Sequence, residues 1–232
     1  LGATATDMSA LAGAKAESCM RKYSIKPLKT PFSKELALRI LTGFINQRAE
    51  RLGLAATPLL SFQKDHYARI LVRVERGINP AKERLRKLGW VSYCPRCMAI
   101  YTRKWVEEPL TSCDICGARI DYAGPLWLGE LTDRELVSEM LSKAYNDPDV
   151  YRESLKLLDA LRKEDTSLIG YFPVNALAEK LRCSPIKPSK LIEGLRELGY
   201  KATITHIDPG GVKTDAPPKI LDELFRSIRA KS

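Results

Sequence analysis

Two Cys-x2-Cys pairs, Cys94/Cys97 and Cys113/Cys116, stand fifteen residues apart in the chain. Thiolate pairs at this spacing can close on one tetrahedral Zn2+, and the two residues inside each pair let turn amides face both sulfurs. Four sulfur ligands leave no open coordination position, so a zinc held there is structural and not catalytic. Two disulfides or four free thiols are the alternatives for the same residues. Nothing in the sequence reads as a signal peptide, and no apolar run approaches the roughly 20 residues of a membrane span. The expectation is a reducing, cytoplasmic setting without membrane attachment. Cys19 and Cys183, isolated in sequence, read as buried free thiols. A zinc ribbon braces many unrelated proteins and names no function.

Charge narrows the partners. The 232 residues can hold one large domain or two modest ones, and their formal net charge is +10. Such an excess favours a polyanion, in this setting nucleic acid. Cations cluster at "RKYSIKPLK" (21–29), "KERLRK" (82–87) and "YTRK" (101–104), and they are in excess again from Lys180 onward. Any one cluster can be a solvated helix face; their sum argues for a phosphate-tracking surface.

Along the chain, "LGATATD" (1–7) reads as the end of a buried strand opening into a loop, with more chain expected upstream. Ser33 can cap a helix striped by Leu36, Ala37, Ile40, Leu41, Phe44 and Ile45 and closed by Gly53. Two strand-like runs, Pro58–Phe62 and Ala68–Glu75, flank the polar link "QKDHY" (63–67). A short helix follows, with Asn79 as cap, Pro80 in its first turn and Gly89 past its end. This order resembles the back half of an open α/β sheet, whose ligand crevice lies beyond the carboxyl ends of parallel strands. Asp7 and the Phe62–Tyr67 segment would border that crevice, where Phe62, His66 and Tyr67 offer surfaces to an extruded base. For His66 and Tyr67 a purely structural turn is the alternative. Beyond the cysteines, Thr132 and Glu135 form a capping-box pattern and Asp147-Pro148 starts a second helix. "VNALAEKLRC", "SPIKPS" and "KLIEGLRELG" (174–199) then read as helix-turn-helix, followed by a strand at "YKATITHI" (200–207), a winged-helix-like pattern. Lys201 and Lys213 are exposed by pattern and are candidates for phosphate contact. Trp127 reads as core and His206 as a packing residue.

"TATD", "SFQKDHYARILVRVERG", "GPLWLGEL" and "LRELGYKATITHIDPGGVKTDAP", in that order around the cysteine knuckles, resemble the tRNA (guanine(26)-N(2))-dimethyltransferase family, its archaeal members in particular. The resemblance implies an S-adenosyl-L-methionine-dependent enzyme that adds one or two methyl groups to the exocyclic amine of a guanine in tRNA. It implies three parts: the C-terminal portion of a Rossmann-like class I methyltransferase domain (1–90), a zinc-binding module (91–130) and a winged-helix-like α+β tRNA-binding domain (131–232). In that family the donor-binding first strand and an Asp-Pro-Phe-Gly type motif precede the point matching residue 1, and no G-x-G occurs in this sequence. No catalytic residue is therefore expected in this chain, which reads as an inactive, monomeric, tRNA-binding part of such an enzyme, with Asp7 lining the crevice. Two other classes compete with this reading: a zinc-ribbon and winged-helix transcription factor without catalysis, and a ribosomal or tRNA-processing accessory that has lost the donor domain.

Overall fold

In the computed structural model, which describes residues 1–230, the chain divides into two units, residues 1–133 and residue 134 onward. The first unit runs β1 (Gly2–Ala5), α1 (Met8–Leu11), α2 (Ala16–Tyr23), α3 (Ser33–Glu50), β2 (Leu54–Lys64), β3 (Tyr67–Arg76), α4 (Ile78–Leu85), β4 (Leu88–Tyr93), β5 (Ile100–Lys104) and β6 (Asp121–Trp127). The second runs α5 (Arg134–Tyr145), α6 (Arg152–Lys163), β7 (Phe172–Pro173), α7 (Val174–Leu181), α8 (Pro188–Glu197), β8 (Ala202–Ile204), β9 (Gly211–Thr214) and α9 (Pro218–Ala230).

The first sheet has the order β1-β3-β2, antiparallel at both seams. Lys64 pairs with Tyr67, so Asp65 and His66 alone turn the chain, and a connection that short can join only antiparallel strands. The expected five-residue polar link is thus mostly strand. Alternation places Ala68, Ile70 and Val72 in the core, while Val74 is exposed. The outer strands β1 and β2 are not hydrogen-bonded to each other, yet both oppose β3 and so share a direction. Their carboxyl ends, Ala5 and Lys64, meet the start of β3 at one end of the sheet. The parallel pairing expected of the sheet is absent among the described residues, but like-directed strand ends are present. Nor is β1 a buried strand: it is the sheet's edge, with Ala5 buried and Gly2 and Thr4 exposed.

Helix α3 covers this sheet and reaches β6. Its stripe Leu36, Ala37, Ile40 and Leu41 is buried, and so are Glu35 and Arg39. Arg39 donates from Nε to Glu35 Oε1 (2.8 Å) and from a terminal nitrogen to the carbonyls of Trp127 (3.2 Å) and Gly129 (2.9 Å). A buried guanidinium needs such a full set of acceptors, and "GPLWLGEL" supplies two of them; Trp127 is itself core. Ser33 is not the cap. Phe32 holds that position, and the Ser33 hydroxyl donates to Thr30 O (2.6 Å) and accepts from Thr30 N–H (2.7 Å) in the preceding turn. Nor is Gly53 the C-terminal cap: Arg51 holds that position, and Gly53, at φ 65°, lies in the following turn with its N–H on Glu50 O (2.8 Å). Likewise Gly77 and not Asn79 caps α4, and Gly89 lies inside β4.

The second sheet, β5-β4-β6, is antiparallel and carries the cysteines on its connections. In the second unit α5 begins at Arg134, and Thr132 Oγ1 finds no hydrogen-bond partner among the described residues, so the capping box does not form. Asp147 turns its carboxylate onto Asp149 N–H (3.0 Å), an Asx-type turn that delays α6 to Arg152. Helices α7 and α8 are followed by the β8–β9 hairpin, with β7 on the far side of β9. The strand expected over 200–207 stops at Ile204 because Thr205 and His206 turn to hydrogen-bond Glu164.

Candidate metal centre and nucleic-acid interface

Each cysteine knuckle is closed by its own backbone. Cys94 N–H donates to Ala99 O (2.9 Å) and Met98 N–H to Cys94 O (2.8 Å); Cys113 N–H donates to Ala118 O (2.9 Å) and Gly117 N–H to Cys113 O (2.9 Å). Met98 and Gly117 adopt the same left-handed turn, φ 65° and 69°. The same device used twice brings Cys94 Sγ to 3.5 Å from Cys116 Sγ, and Cys97 Sγ to 3.4 Å from Cys113 Sγ, with all four sulfurs inside 4.8 Å. Sulfurs about 2.3 Å from a tetrahedral Zn2+ lie about 3.8 Å apart, so the set fits zinc. A disulfide needs about 2.05 Å, and none of the six cysteines forms one among the described residues. The Tyr101 hydroxyl, 3.2 Å from Cys113 Sγ, is placed to donate to that sulfur as a thiolate. Ala99 and Ile120 pack beneath the cysteines with Leu110 and Tyr101 at the rim, whereas Trp105 and Ile115 are exposed. With so small an apolar core, a metal held by the four cysteines would supply most of the cohesion here.

At the carboxyl ends of β1 and β2 the structure brings together the sequence candidates. Asp7 follows β1, which pairs Ala5 with Ala68 just after the hairpin tip. Its carboxylate accepts from Lys22 Nζ (2.8 Å) and the Tyr23 hydroxyl (2.7 Å), both on α2. Partial burial would push its pKa up, but these hydrogen bonds and the Lys22 charge outweigh that and hold it below the usual carboxylate range. Asp7 is thus ionised and already engaged through both oxygens. Phe62 and Tyr67 meet edge-to-face across the hairpin, centroids 6.2 Å apart, while His66 is exposed at the tip.

In the second unit Lys201 is exposed, in keeping with its pattern, but Lys213 is not. Lys213 is fully buried; its Nζ donates to Leu168 O (2.7 Å) and lies 3.4 Å from Glu164 Oε1. Strand β9 turns this side chain inward, so it offers nothing to phosphate. Glu164 also accepts from Thr205 Oγ1 (3.0 Å), His206 N–H (3.0 Å) and His206 Nδ1 (2.5 Å). Burial alone would raise its pKa; the charges of His206 and Lys213 and the His206 hydrogen bonds drive it far below the normal range. His206 is therefore a packing residue, as its pattern implied. Exposed cations in this unit include Arg182, Lys187, Lys190, Lys201 and Arg196, whose Nε donates to Ala202 O (2.8 Å); Lys180 pairs with Asp222.

The model of the family described as N2,N2-dimethylguanosine tRNA methyltransferase matches residues 1–226. The chain belongs to that family. It is similar to the tRNA (guanine(26)-N(2))-dimethyltransferases of Methanothermobacter thermautotrophicus (35% identical over 98% of this chain and 60% of the relative) and Pyrococcus furiosus (38%, over 97% and 57%). It is also similar to the solved structure of Trm1 from Pyrococcus horikoshii with S-adenosyl-L-methionine, at TM-score 0.84 and 32% identity over 97% of this chain and 58% of that one. The chain thus spans about 60% of the length of the curated relatives it matches. Within this family member, Lys22, Tyr23 and Glu164 are the polar residues that sequence reasoning missed. Each sits in an ordinary helical or polar run, and only the tertiary fold supplies its partner.

Proposed function

We propose that the chain is the substrate-facing part of an S-adenosyl-L-methionine-dependent tRNA guanine-N2 dimethyltransferase, and that it carries no catalytic residue or donor loop of its own. The observation that carries this reading is the likeness over 97% of the chain, at TM-score 0.84, to a structure solved with S-adenosyl-L-methionine. The order β1-β3-β2, with β3 inserted between two like-directed strands, supports taking residues 1–90 as the back half of a Rossmann-like methyltransferase sheet. On this reading Asp7, Phe62, His66 and Tyr67 line the guanine crevice. Residues 91–130 form a structural zinc module, and residues 131–232 a winged-helix-like tRNA-binding domain, for which α7, α8 and the β8–β9 hairpin are the support. On this reading the protein is a cytoplasmic monomer. Separately, no helix of the described residues is long and apolar enough to cross a membrane. The transcription-factor reading is not favoured, since the family match extends through the α/β unit that such a factor does not need.

When bound, S-adenosyl-L-methionine supplies the electrophilic methyl group. This chain's own contribution is to orient the guanine so that its amine is in line for transfer, and to exclude water from it. The ionised Asp7, fixed by Lys22 and Tyr23, holds that edge rigid. Because no G-x-G lies in the sequence, the chain alone binds S-adenosyl-L-methionine no tighter than roughly 1 mM, about 4 kcal/mol. Joining it to the donor-binding portion of the Pyrococcus furiosus relative tests the whole reading. The chimera should methylate an unmodified tRNA transcript and lose that activity when the target guanine is changed to adenine. A folded, donor-binding chimera that transfers no methyl group overturns the proposal, and tight donor binding by the chain alone would relocate the donor site.

A further inference from the structure

One cluster of cations takes no part in the metal centre or the Asp7 edge. In the first unit, a groove of about 630 Å3 is lined by Lys26 and Lys29 from the α2–α3 linker, by Tyr93 at the end of β4, by Arg119 beyond the second knuckle and by Asp121 and Tyr122 opening β6. Two short backbone pairings fix its walls. Lys26 bridges Gly124 with hydrogen bonds in both directions (3.1 and 2.8 Å), and Ser112 bridges Arg119. Lys26 Nζ is committed to Asp121 and lies 4.1 Å from the centre of the Tyr122 ring, which itself meets Trp90 edge-to-face. Three cations against one acid leave a surplus of two positive charges among the lining residues. That surplus resides on Lys29 and Arg119, both exposed.

An open groove with rigid walls and two outward cations suits a linear polyanion better than a small anion, which would be enclosed. We infer that this groove between the α2–α3 linker and the zinc module holds a stretch of RNA sugar-phosphate backbone, with Lys29 and Arg119 as its phosphate contacts. The inference rests on the tRNA reading above and names the surface that reading leaves open. It also gives the zinc module a second role: the fold that the metal holds together presents Arg119 to the substrate.

The test is binding of a fluorescent tRNA transcript to the full chain across 50 to 200 mM salt, with zinc content and circular dichroism recorded for every variant. Each phosphate contact contributes about 0.7 to 0.9 to the slope of log K against log salt. The Lys29→Ala, Arg119→Ala variant should therefore lower the slope by about 1.4 to 1.8. Its deficit relative to wild type should shrink by about sevenfold to twelvefold across that fourfold salt range. Lys29→Glu, on the exposed linker and outside the cysteine knuckles, should weaken binding in the same salt-dependent way without disturbing zinc. Arg73→Ala, Arg76→Ala removes two exposed cations from β3, which does not line the groove, and controls for net charge alone. Equal losses in the control and the groove variant overturn the inference, as does competition by polyglutamate equal to that of RNA. Wild-type binding that both groove variants leave intact sinks the groove and spares the tRNA reading. Failure of wild type to bind tRNA at 50 mM salt sinks both.

Discussion

Replacing Glu164 by Gln removes one charge from a site sealed off from solvent. Glu164, His206 and Lys213 are each essentially buried, and the carboxylate accepts hydrogen bonds from Thr205 and His206 while lying 3.4 Å from Lys213 Nζ. The intact cluster adds little net stability, because desolvation offsets most of the attraction; taking away one partner leaves a buried cation uncompensated, which costs about 3 to 5 kcal/mol. For a domain of about 100 residues the unfolding entropy is about 0.2 kcal/mol per degree, so the melting temperature of the second unit should fall by about 15 to 25 °C. Differential scanning calorimetry of the chain, followed by tyrosine fluorescence, measures this. The pH dependence has a definite sign. The folded pKa of Glu164 is depressed from 4.5, so its contribution is fully present above about pH 4.5 and is lost as the pH falls towards the folded value. The wild type should therefore lose stability below pH 4.5 more steeply than Glu164→Gln. Adding Lys213→Met to Glu164→Gln should recover part of the loss, since it removes the buried cation that Glu164→Gln leaves uncompensated. A single variant that melts within about 2 °C of wild type, or a double variant worse than the single, would refute the reasoning.

Freshly purified protein should hold one zinc per chain by elemental analysis, and Cys113→Ser, Cys116→Ser or exhaustive chelation should unfold the β5-β4-β6 sheet, seen as loss of amide protection over 88–127; full protection without metal would show that the cysteines are dispensable. Gly89→Ala should cost more than about 3 kcal/mol in urea unfolding, because a Cβ there would sit 2.1 Å from Arg103 O and 2.4 Å from Leu128 Cδ1; a loss below about 1 kcal/mol would mean that the strand pair yields easily. Lys201→Ala should lower the salt slope of tRNA binding by about one, whereas Lys213→Ala should act on the melting temperature of the second unit; the opposite pattern would reverse the assignment of the two lysines.

The elements with strong periodicity or fixed ligand spacing were legible in the sequence. The four cysteines, the α3 stripe and the helix-turn-helix all follow from local pattern. What was not legible depended on partners distant in the chain. An alternating strand cannot say which way its neighbour runs, and the Asp65-His66 turn lacks the Asn-Gly or Asp-Gly signal that marks a tight hairpin. Lys213 occupies a polar slot in an exposed-looking strand, yet Glu164, far upstream, makes burial tolerable. Capping residues misled for a related reason: Ser33 and Thr132 have the right side chains, but the turn at Thr30 and the burial of Thr132 leave neither with a free helix N–H to accept from.

The Lys26–Gly124 bridge has a kinetic meaning. The adjoining Lys26–Asp121 pair joins positions 95 apart and the bridge itself a slightly longer span, and contacts of such separation form late, after the loop between them is closed. The intervening chain includes both cysteine pairs, and the bridged Lys26 lies three residues after Tyr23, which steadies Asp7. Metal capture should therefore precede and gate the ordering of the Asp7 edge, so that a chain short of zinc emerges with that edge still unset.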